Sequence, residues 1–246
     1  MSALLQLSGV SRHFGGLKAV SAVDLCVERG EVIGLIGPNG AGKTTLVNLI
    51  TGVHRATAGT VRFAGEDVTR QKPWQAARRG IARTFQIVQP FPEMTVLENV
   101  AAAALFAGGM AYGEPAEAAA LEHLRFVGLA DVAATRAATL TLAMRKRLEL
   151  AKGLAMNPKL LLLDEVNAGL NSTEIDQALA LIRGIAARGV TILIIEHLMK
   201  VVLNLCSRIV VLHHGELIAS GDPQSIVRDA RVVQAYLGRR YADASH

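Results

Sequence analysis

Apolar and polar residues alternate along the first part of the chain, and a repeat of two residues is typical of β-strands with one buried face. Within residues 3–28 the alternation is clearest over residues 5–7 and 23–27, and residues 60–63 repeat it between two glycines. Strands that are buried on one face commonly pair in antiparallel sheets. We therefore expect an antiparallel sheet that flanks a parallel core.

Longer apolar runs predict the strands of that parallel core, because a strand of a parallel sheet is buried on both faces. Three such runs are residues 32–36, 160–163 and 190–195. A shorter strand is expected at residues 81–85, and a hairpin that turns at His214 and Gly215 is expected near the C-terminus. The chain thus combines parallel strands with helices in an α/β fold.

The pattern over residues 90–157 is helical, and strand signals vanish there. Thr95 and Glu98 have the spacing of a capping box at the start of a helix. We predict that residues 90–157 form an inserted helical subdomain. Residues 1–89 and 158–246 then form the core domain around it.

Composition narrows the class of protein. The chain has 246 residues, of which 51% are hydrophobic and 19% charged, but no apolar run approaches the roughly 18 to 20 residues that cross a bilayer. The N-terminus lacks the features of a secretory signal, so we expect a cytoplasmic protein with Cys26 and Cys206 as reduced core thiols. The net charge is +5, but the lysines and arginines that produce it are scattered along the chain, and no aromatic residues are interleaved with them. We therefore expect no binding to nucleic acid.

Residues 37–45 (GPNGAGKTT) match the phosphate-binding pattern GxxxxGK[ST], with an apolar strand before them and a helical pattern after them. Glycines allow the backbone N–H groups to point inward, and the helix N-terminus adds a partial positive charge. The expected ligand is a nucleoside triphosphate. Lys43 is expected to reach the β- and γ-phosphates, and the Thr44 hydroxyl to bind Mg²⁺.

Three further segments carry candidate chemistry. Asp164 and Glu165 end a strand of four leucines, where the first carboxylate supports Mg²⁺ and the second polarises the attacking water. His197 follows the strand at 190–195, and ligands of open α/β sheets bind beyond such strand ends. The amide oxygen of Gln86 contacts either a metal ion or the attacking water, or else Gln86 is simply a polar loop residue. Phe14 either stacks on a purine ring or fills a small apolar cluster.

The order of these features resembles the ATP-binding cassette subunit of ABC transporters over nearly the whole chain. Several segments resemble more closely the ATPase subunits of branched-chain amino acid importers, namely residues 12–16 (RHFGG), 82–86 (ARTFQ), 93–99 (EMTVLEN), 157–159 (NPK), 168–171 (AGLN) and 235–238 (AYLG). The resemblance implies a P-loop nucleotide-hydrolase core, in which a mixed sheet is flanked by an antiparallel β subdomain, plus an inserted α-helical subdomain.

The resemblance also implies a role for each matching residue. Phe14 would stack on adenine, and the nucleotide would be held by Pro38, Asn39, Gly40, Ala41, Gly42, Lys43, Thr44 and Thr45. Gln86 would be the Q-loop residue, which binds metal together with Thr44 and Asp164 and takes part in catalysis. Glu165 would be the catalytic base, Asn171 the D-loop residue and His197 the switch histidine.

One motif departs from the family. The signature LSGGQ, or a variant such as LSYGQ, is replaced by Thr141, Leu142, Ala143 and Met144 after Leu140. Ala143 replaces a glycine whose bare backbone approaches the γ-phosphate, and Met144 cannot offer an amide. Such cassettes form head-to-tail dimers in which each signature faces the partner's phosphate loop, so the defect affects the partner's nucleotide. We hypothesise an asymmetric pair, in which this chain's own site, completed by a partner's intact signature, is the competent one. Val166 also replaces the usual proline after the catalytic glutamate.

The implied mechanism uses ATP and Mg²⁺ to join two cassettes, a homo- or heterodimer, and hydrolysis separates them. The implied partners are two membrane permease subunits and, indirectly, a periplasmic binding protein, at the cytoplasmic face of the inner membrane. The rival functions are an export cassette of the lipopolysaccharide type, a soluble ABC ATPase and a small-molecule P-loop kinase. The kinase alternative does not account for Glu165 and His197.

Overall fold

The computed structural model describes residues 3–84 and 90–237. The chain divides into two compact units, of which the first comprises Met1–Pro73 and Thr191–His246 and the second comprises Trp74–Val190. The predicted helical insertion, residues 90–157, lies within the second unit.

The helices and strands follow one another in an order typical of α/β proteins. They begin with β1 (Ala3–Phe14), β2 (Leu17–Glu28), β3 (Val32–Ile36), α1 (Lys43–Ile50), β4 (Ala58–Phe63), β5 (Glu66–Asp67), α2 (Pro73–Arg78), β6 (Ile81–Arg83) and α3 (Val96–Phe106). They continue with α4 (Glu114–Val127), α5 (Leu142–Ala155), β7 (Leu160–Asp164), α6 (Ser172–Ala187), β8 (Thr191–Ile195), α7 (Met199–Leu205), β9 (Arg208–His213), β10 (Glu216–Gly221), α8 (Pro223–Arg228) and α9 (Ala230–Leu237).

The predicted antiparallel sheet is confirmed in the first unit, where the strands lie in the order β2-β1-β4-β5. Alternate residues of β2 face the interior, so that Val23, Leu25 and Val27 are buried. Cys26 lies between them on the opposite face and is exposed, so its prediction as a core thiol was wrong. The same alternation that buries its neighbours turns Cys26 outward.

Parallel pairing supplies the centre of the first unit. Strand β3 lies between β8 and β9 and runs parallel to both, and β10 returns antiparallel to β9. All five residues of β8 are buried. Gly34 allows α7 to pack closely, because a Cβ atom there would lie 2.8 Å from Val202 Cγ1 and 3.1 Å from Cys206 Sγ. Cys206 is the buried thiol that the sequence predicted.

The second unit pairs β6 with β7 in parallel, and it also contains helices α3 to α6. The capping box at the start of α3 is confirmed, since the Thr95 and Glu98 side chains each accept a backbone N–H of the other residue. Asn99, one residue further along, is fully buried. Its side chain binds the backbone of Phe91 and of Thr95, which fastens the segment before α3 to the helix.

Some elements differ from their prediction. Helix α5 begins at Leu142, because the Thr141 side chain caps it. Helix α7 was not predicted. Gln86, one of the predicted site residues, lies outside the described residues. Among the helices that are described, none has the length and apolar character needed to cross a membrane.

Candidate functional site

The predicted phosphate loop joins β3 to α1 in the first unit, with strand, loop and helix in the order that the motif requires. Gly37, Gly40 and Gly42 all have positive φ angles, of 153°, 76° and 103°. A Cβ atom at Gly37 would lie 2.1 Å from the Leu212 carbonyl oxygen, and one at Gly42 would lie 2.4 Å from that of Ala19. Side chains are excluded at both positions, which leaves the loop backbone bare.

The loop ends at the N-terminus of α1, whose first turn contains no acidic residue. The partial positive charge of the helix end is therefore not offset locally, and it favours an anion. Asn39, Gly40 and Thr44 are exposed, whereas Ala41 is buried. Lys43 is half-buried, and its ammonium group donates hydrogen bonds to the carbonyl oxygens of Gly37 at 2.6 Å and Pro38 at 3.1 Å. Pro38, Gly42 and Thr45 are partly buried.

Tyr236 on α9 also contacts this loop, which the sequence analysis missed. Its hydroxyl accepts a hydrogen bond from the Gly37 backbone N–H. Burial raises the pKa of Tyr236, and the bond from Gly37 partly opposes that rise. No motif in the sequence links the two residues, because they are distant in the chain and meet only through the fold.

Phe14 is 40% exposed, so its ring is not enclosed in an apolar cluster. The Arg12 guanidinium lies 4.4 Å from the ring centroid, and the His54 ring approaches edge-on with its centroid at 5.3 Å. Both contacts hold the ring in place, and a cation against one aromatic face is favourable. An accessible ring of this kind can stack on a planar base.

His197 follows β8, which is the parallel neighbour of the strand that leads into the phosphate loop. Leu35 of β3 pairs with Ile195 of β8, so both strands end at the same edge of the sheet. His197 is exposed at this edge, while the preceding Glu196 is fully buried. The placement agrees with the expected position of a residue that meets a phosphate.

In the second unit, Asp164 ends β7 and is 4% exposed. Its carboxylate oxygen Oδ2 lies 2.7 Å from Arg83 Nη2. Its backbone N–H donates to the Thr84 hydroxyl at 3.2 Å. Arg83 and Thr84 were not predicted as site residues, although their position at the end of a neighbouring predicted strand was a usable signal.

Glu165 follows directly and has a φ of 48°, in the left-handed region that non-glycine residues seldom adopt. A conformation of this kind costs about 1 to 2 kcal/mol. The Lys146 ammonium donates to the Glu165 carbonyl oxygen at 3.2 Å, and Lys146 is 7% exposed. A buried cation thus holds the backbone that directs the Glu165 side chain, while Val166 packs in the interior at 8% exposure.

The altered signature forms the N-terminus of α5 in the same unit. Thr141 is the N-cap, and its hydroxyl accepts the Met144 backbone N–H at 3.3 Å. Leu142 is 48% exposed, and Ala143 and Met144 are partly buried. Asn171 caps α6 in a capping box with Glu174, so its side chain serves the helix.

Each of the two units, taken by itself, offers an oxygen donor of the kind that magnesium prefers. Among residues 3–84 and 90–237 no group of three or more His, Cys, Asp or Glu side chains could hold a metal ion. Mg²⁺ is usually bound by one or two protein oxygens together with substrate phosphates and water, so such a group is not needed. The buried Asp164 carboxylate, already opposite a cation, is a suitable oxygen donor, and the exposed Thr44 hydroxyl is a second.

Comparison with known proteins gives concordant results. A family model described as ABC transporter matches residues 20–168, and one described as branched-chain amino acid ATP-binding cassette transporter matches residues 216–242. The chain is 40% identical over 250 residues to the high-affinity branched-chain amino acid transport ATP-binding protein BraF of Pseudomonas aeruginosa, covering 96% of this chain and 98% of that protein. It is 39% identical over 252 residues to the corresponding protein LivG of Escherichia coli K12, with the same coverage.

Solved structures agree with the sequence relatives. An ATP-binding cassette of an ABC transporter in its ADP conformation superposes with a TM-score of 0.89 at 32% identity, covering 97% of this chain and 100% of that one. A dimeric cassette in a post-hydrolysis state with ADP and phosphate gives a TM-score of 0.79 at 25% identity, covering 89% and 98%. The predicted fold class, an α/β P-loop hydrolase core with an antiparallel β subdomain and helices, is confirmed.

Proposed function

Because this chain belongs to the ATP-binding cassette family of ABC transporters, we propose that it is the ATP-hydrolysing subunit of an importer for branched-chain amino acids or related small polar solutes. The chain binds ATP and is an ATPase of this family. The observation that carries the importer assignment is the match of residues 216–242 to the branched-chain model, because this segment lies outside the part that the general ABC model matches. The relatives are named for branched-chain amino acid transport, which favours this solute class over the lipopolysaccharide of the export alternative.

The phosphate loop is proposed to bind the nucleotide. The bare backbone from Gly37 to Gly42 offers N–H groups to the phosphates, and Lys43 leaves the Gly37 and Pro38 carbonyls to neutralise the β- and γ-phosphates. Phe14 stacks on the adenine. The roles of Pro38, Asn39, Gly40, Ala41 and Thr45 are to shape the loop around the phosphates.

The Thr44 hydroxyl and the Asp164 carboxylate, the second of them through water, are proposed to hold Mg²⁺, with Gln86 as a further ligand. When bound, Mg²⁺ supplies charge neutralisation at the β- and γ-phosphate oxygens. Glu165 orients the attacking water and accepts its proton, and the strained backbone at Glu165 fixes the direction of the carboxylate. His197 donates a hydrogen bond to the γ-phosphate and stabilises the charge that develops there.

The chain is proposed to act with a second cassette, two permease subunits and, indirectly, a periplasmic binding protein at the cytoplasmic face of the inner membrane. The dimeric structure of a related cassette supports the pairing of two cassettes. Thr141, Leu142, Ala143 and Met144 face the partner's nucleotide in this proposal, and Asn171 lies at the dimer contact. A partner with an intact signature would complete this chain's own site, which makes the pair asymmetric.

The test is uptake by a reconstituted transporter. The chain is placed in proteoliposomes with a second cassette, two permease subunits and a binding protein of a branched-chain amino acid importer. Entry of radiolabelled leucine, isoleucine and valine is followed with internal ATP. The Glu165→Gln variant is expected to lower ATP turnover by about 100-fold or more while it still binds ATP, because only water activation is removed.

Glu216→Gln serves as the matched control, because Glu216 is an exposed residue of β10. It carries the same charge change and should leave both uptake and turnover unchanged. ATP turnover without uptake of any branched-chain amino acid would overturn the solute class. Full turnover by Glu165→Gln would overturn the role of Glu165.

A further inference from the structure

Two parallel strands of the second unit bring a buried arginine to the acidic residue at the end of β7. Ile81, Ala82 and Arg83 of β6 pair in register with Leu160, Leu161 and Leu162 of β7. Because parallel strands end at the same edge, the end of β6 places a cation beside the end of β7. Arg83 Nη2 lies 2.7 Å from Asp164 Oδ2, and the two side chains are only 10% and 6% exposed.

The backbones around this pair are held independently of the charges. The Thr84 backbone N–H donates to the Leu162 carbonyl at 2.9 Å, and the Asp164 backbone N–H donates to the Thr84 hydroxyl at 3.2 Å. Thr84 is 1% exposed, so water does not compete for these bonds. The Asp164 main chain can therefore stay in place while its carboxylate changes from one cation to another.

A carboxylate at this depth needs a positive charge beside it, because an uncompensated buried charge is strongly unfavourable. In this structure Arg83 supplies that charge. In the proposed catalytic cycle Asp164 also serves Mg²⁺. A guanidinium hydrogen-bonded to Oδ2 occupies one of the two carboxylate oxygens, and its positive charge repels the metal. The two cations are thus alternatives at one carboxylate.

We propose that Arg83 is a placeholder for magnesium, which neutralises Asp164 while the site is empty and releases its carboxylate when the metal-nucleotide complex binds. This positioning role rests on the proposed function, since it assigns Asp164 to the metal. Its consequence is that Arg83 weakens metal binding and so sets the magnesium concentration that nucleotide retention requires. The return of Arg83 to Asp164 then favours release of the product complex.

The test measures how nucleotide binding depends on magnesium, without turnover. Full-length chain is titrated with the fluorescent nucleotide mant-ADP, first in EDTA and then at increasing free Mg²⁺. Arg83→Gln removes the competing charge, and we expect the half-saturating Mg²⁺ concentration to fall by about tenfold or more, because a unit charge within a few ångströms changes a divalent ion's binding by at least this much. Affinity for mant-ADP in EDTA should not increase.

Two further variants separate competition from a merely structural role. Arg83→Lys keeps a positive charge at the same place, and its magnesium dependence should stay within about threefold of the wild type. Arg78→Gln makes the same charge change at an exposed position of α2 and should behave as the wild type. An unchanged or higher Mg²⁺ requirement in Arg83→Gln would overturn the proposal.

A measurement on the wild-type chain covers the case in which Arg83→Gln does not fold. With ¹⁵N-labelled arginine, the Nε–H signal of Arg83 is assigned by its loss in Arg83→Lys, and Mg²⁺ is added to the ADP-bound chain. A shift of this signal on addition of Mg²⁺ supports the exchange of partners, and an unmoved signal rejects it. If the wild type bound no nucleotide at all, the proposed function would fail. That outcome is distinct from both a shifted and an unmoved Arg83 signal, because each of these is measured on a chain that holds ADP.

Discussion

The ammonium group of Lys43 donates to the carbonyl oxygen of Gly37 at 2.6 Å, so the lysine of the phosphate loop closes the loop in which it stands. A second bond, to Pro38 at 3.1 Å, strengthens the closure. Both bonds hold the loop in a closed shape. Binding exchanges two carbonyl partners for phosphate oxygens, and a charged acceptor makes the stronger hydrogen bond.

Replacing Lys43 by alanine removes both the closure of the loop and the charge that meets the phosphates. We expect the affinity for ATP to fall by about 100-fold or more, because two charge-assisted hydrogen bonds to phosphate are lost. Equilibrium titration with mant-ATP measures the effect. Lys72→Ala is the matched control, because Lys72 is an exposed lysine of the same unit, and it should bind ATP as the wild type does. Equal affinities for the two variants would contradict the assignment of the loop.

Repair of the altered signature tests the asymmetric pair. In the double variant Ala143→Gly and Met144→Gln, the glycine frees the backbone at the start of α5 and the glutamine offers an amide, while the Thr141 cap is retained. ATP turnover of the assembled complex should rise about twofold or more, since a second site gains donors for the γ-phosphate. Glycine in the first turn costs at most about 1 kcal/mol of helix stability. A repaired complex with unaltered turnover would speak against the hypothesis.

Acidification should destabilise the second unit through His123 on α4. Burial lowers the pKa of His123. The nearby Glu122 opposes this with a smaller effect, and Arg188, whose effect is smaller still, lowers the pKa further. The unfolded chain therefore binds a proton at a higher pH than the folded chain does. The stability associated with neutral His123 is present above the unfolded pKa of about 6.5 and is lost as the pH falls through the lower folded pKa.

The variant His123→Gln cannot take up this proton. Its melting temperature should fall less than that of the wild type when the pH is lowered from 7.5 to about 5, as measured by circular dichroism. Equal falls for the two proteins would show that His123 does not carry this part of the pH dependence.

We expect the Asn99 side chain to make a large contribution to the free energy of unfolding, because of its buried hydrogen bonds to the backbone. Its fully buried side chain accepts the Phe91 N–H at 2.9 Å and donates to the carbonyls of Phe91 at 3.0 Å and Thr95 at 2.9 Å. Asn99→Ala leaves these groups without their partner, and we expect a loss of about 2 to 4 kcal/mol in the free energy of unfolding. Urea denaturation measures it. Asn204→Ala removes an exposed bond within α7 and should cost under about 0.5 kcal/mol.

The sequence alone was enough to predict those features whose residues all lie within one short segment of the chain. The phosphate loop needs three glycines, a lysine and a following helix, all within residues 37–50, so its motif can be recognised without knowledge of the distant residues that pack against it. The capping box at Thr95 was equally legible, because it lies within a single helical turn. The buried strands β7 and β8 could be recognised from their apolar runs alone.

Only the tertiary structure decided which distant residues meet. Arg83 and Asp164 are 81 positions apart, and the register of two parallel strands brings them together. Tyr236 reaches Gly37 only because α9 returns to the start of the phosphate loop. Cys26 was misassigned for a related reason, since its apolar neighbours are on the other face of the strand. A sequence pattern reports local periodicity, whereas long-range packing selects the partner, the buried face and the charge that each side chain meets.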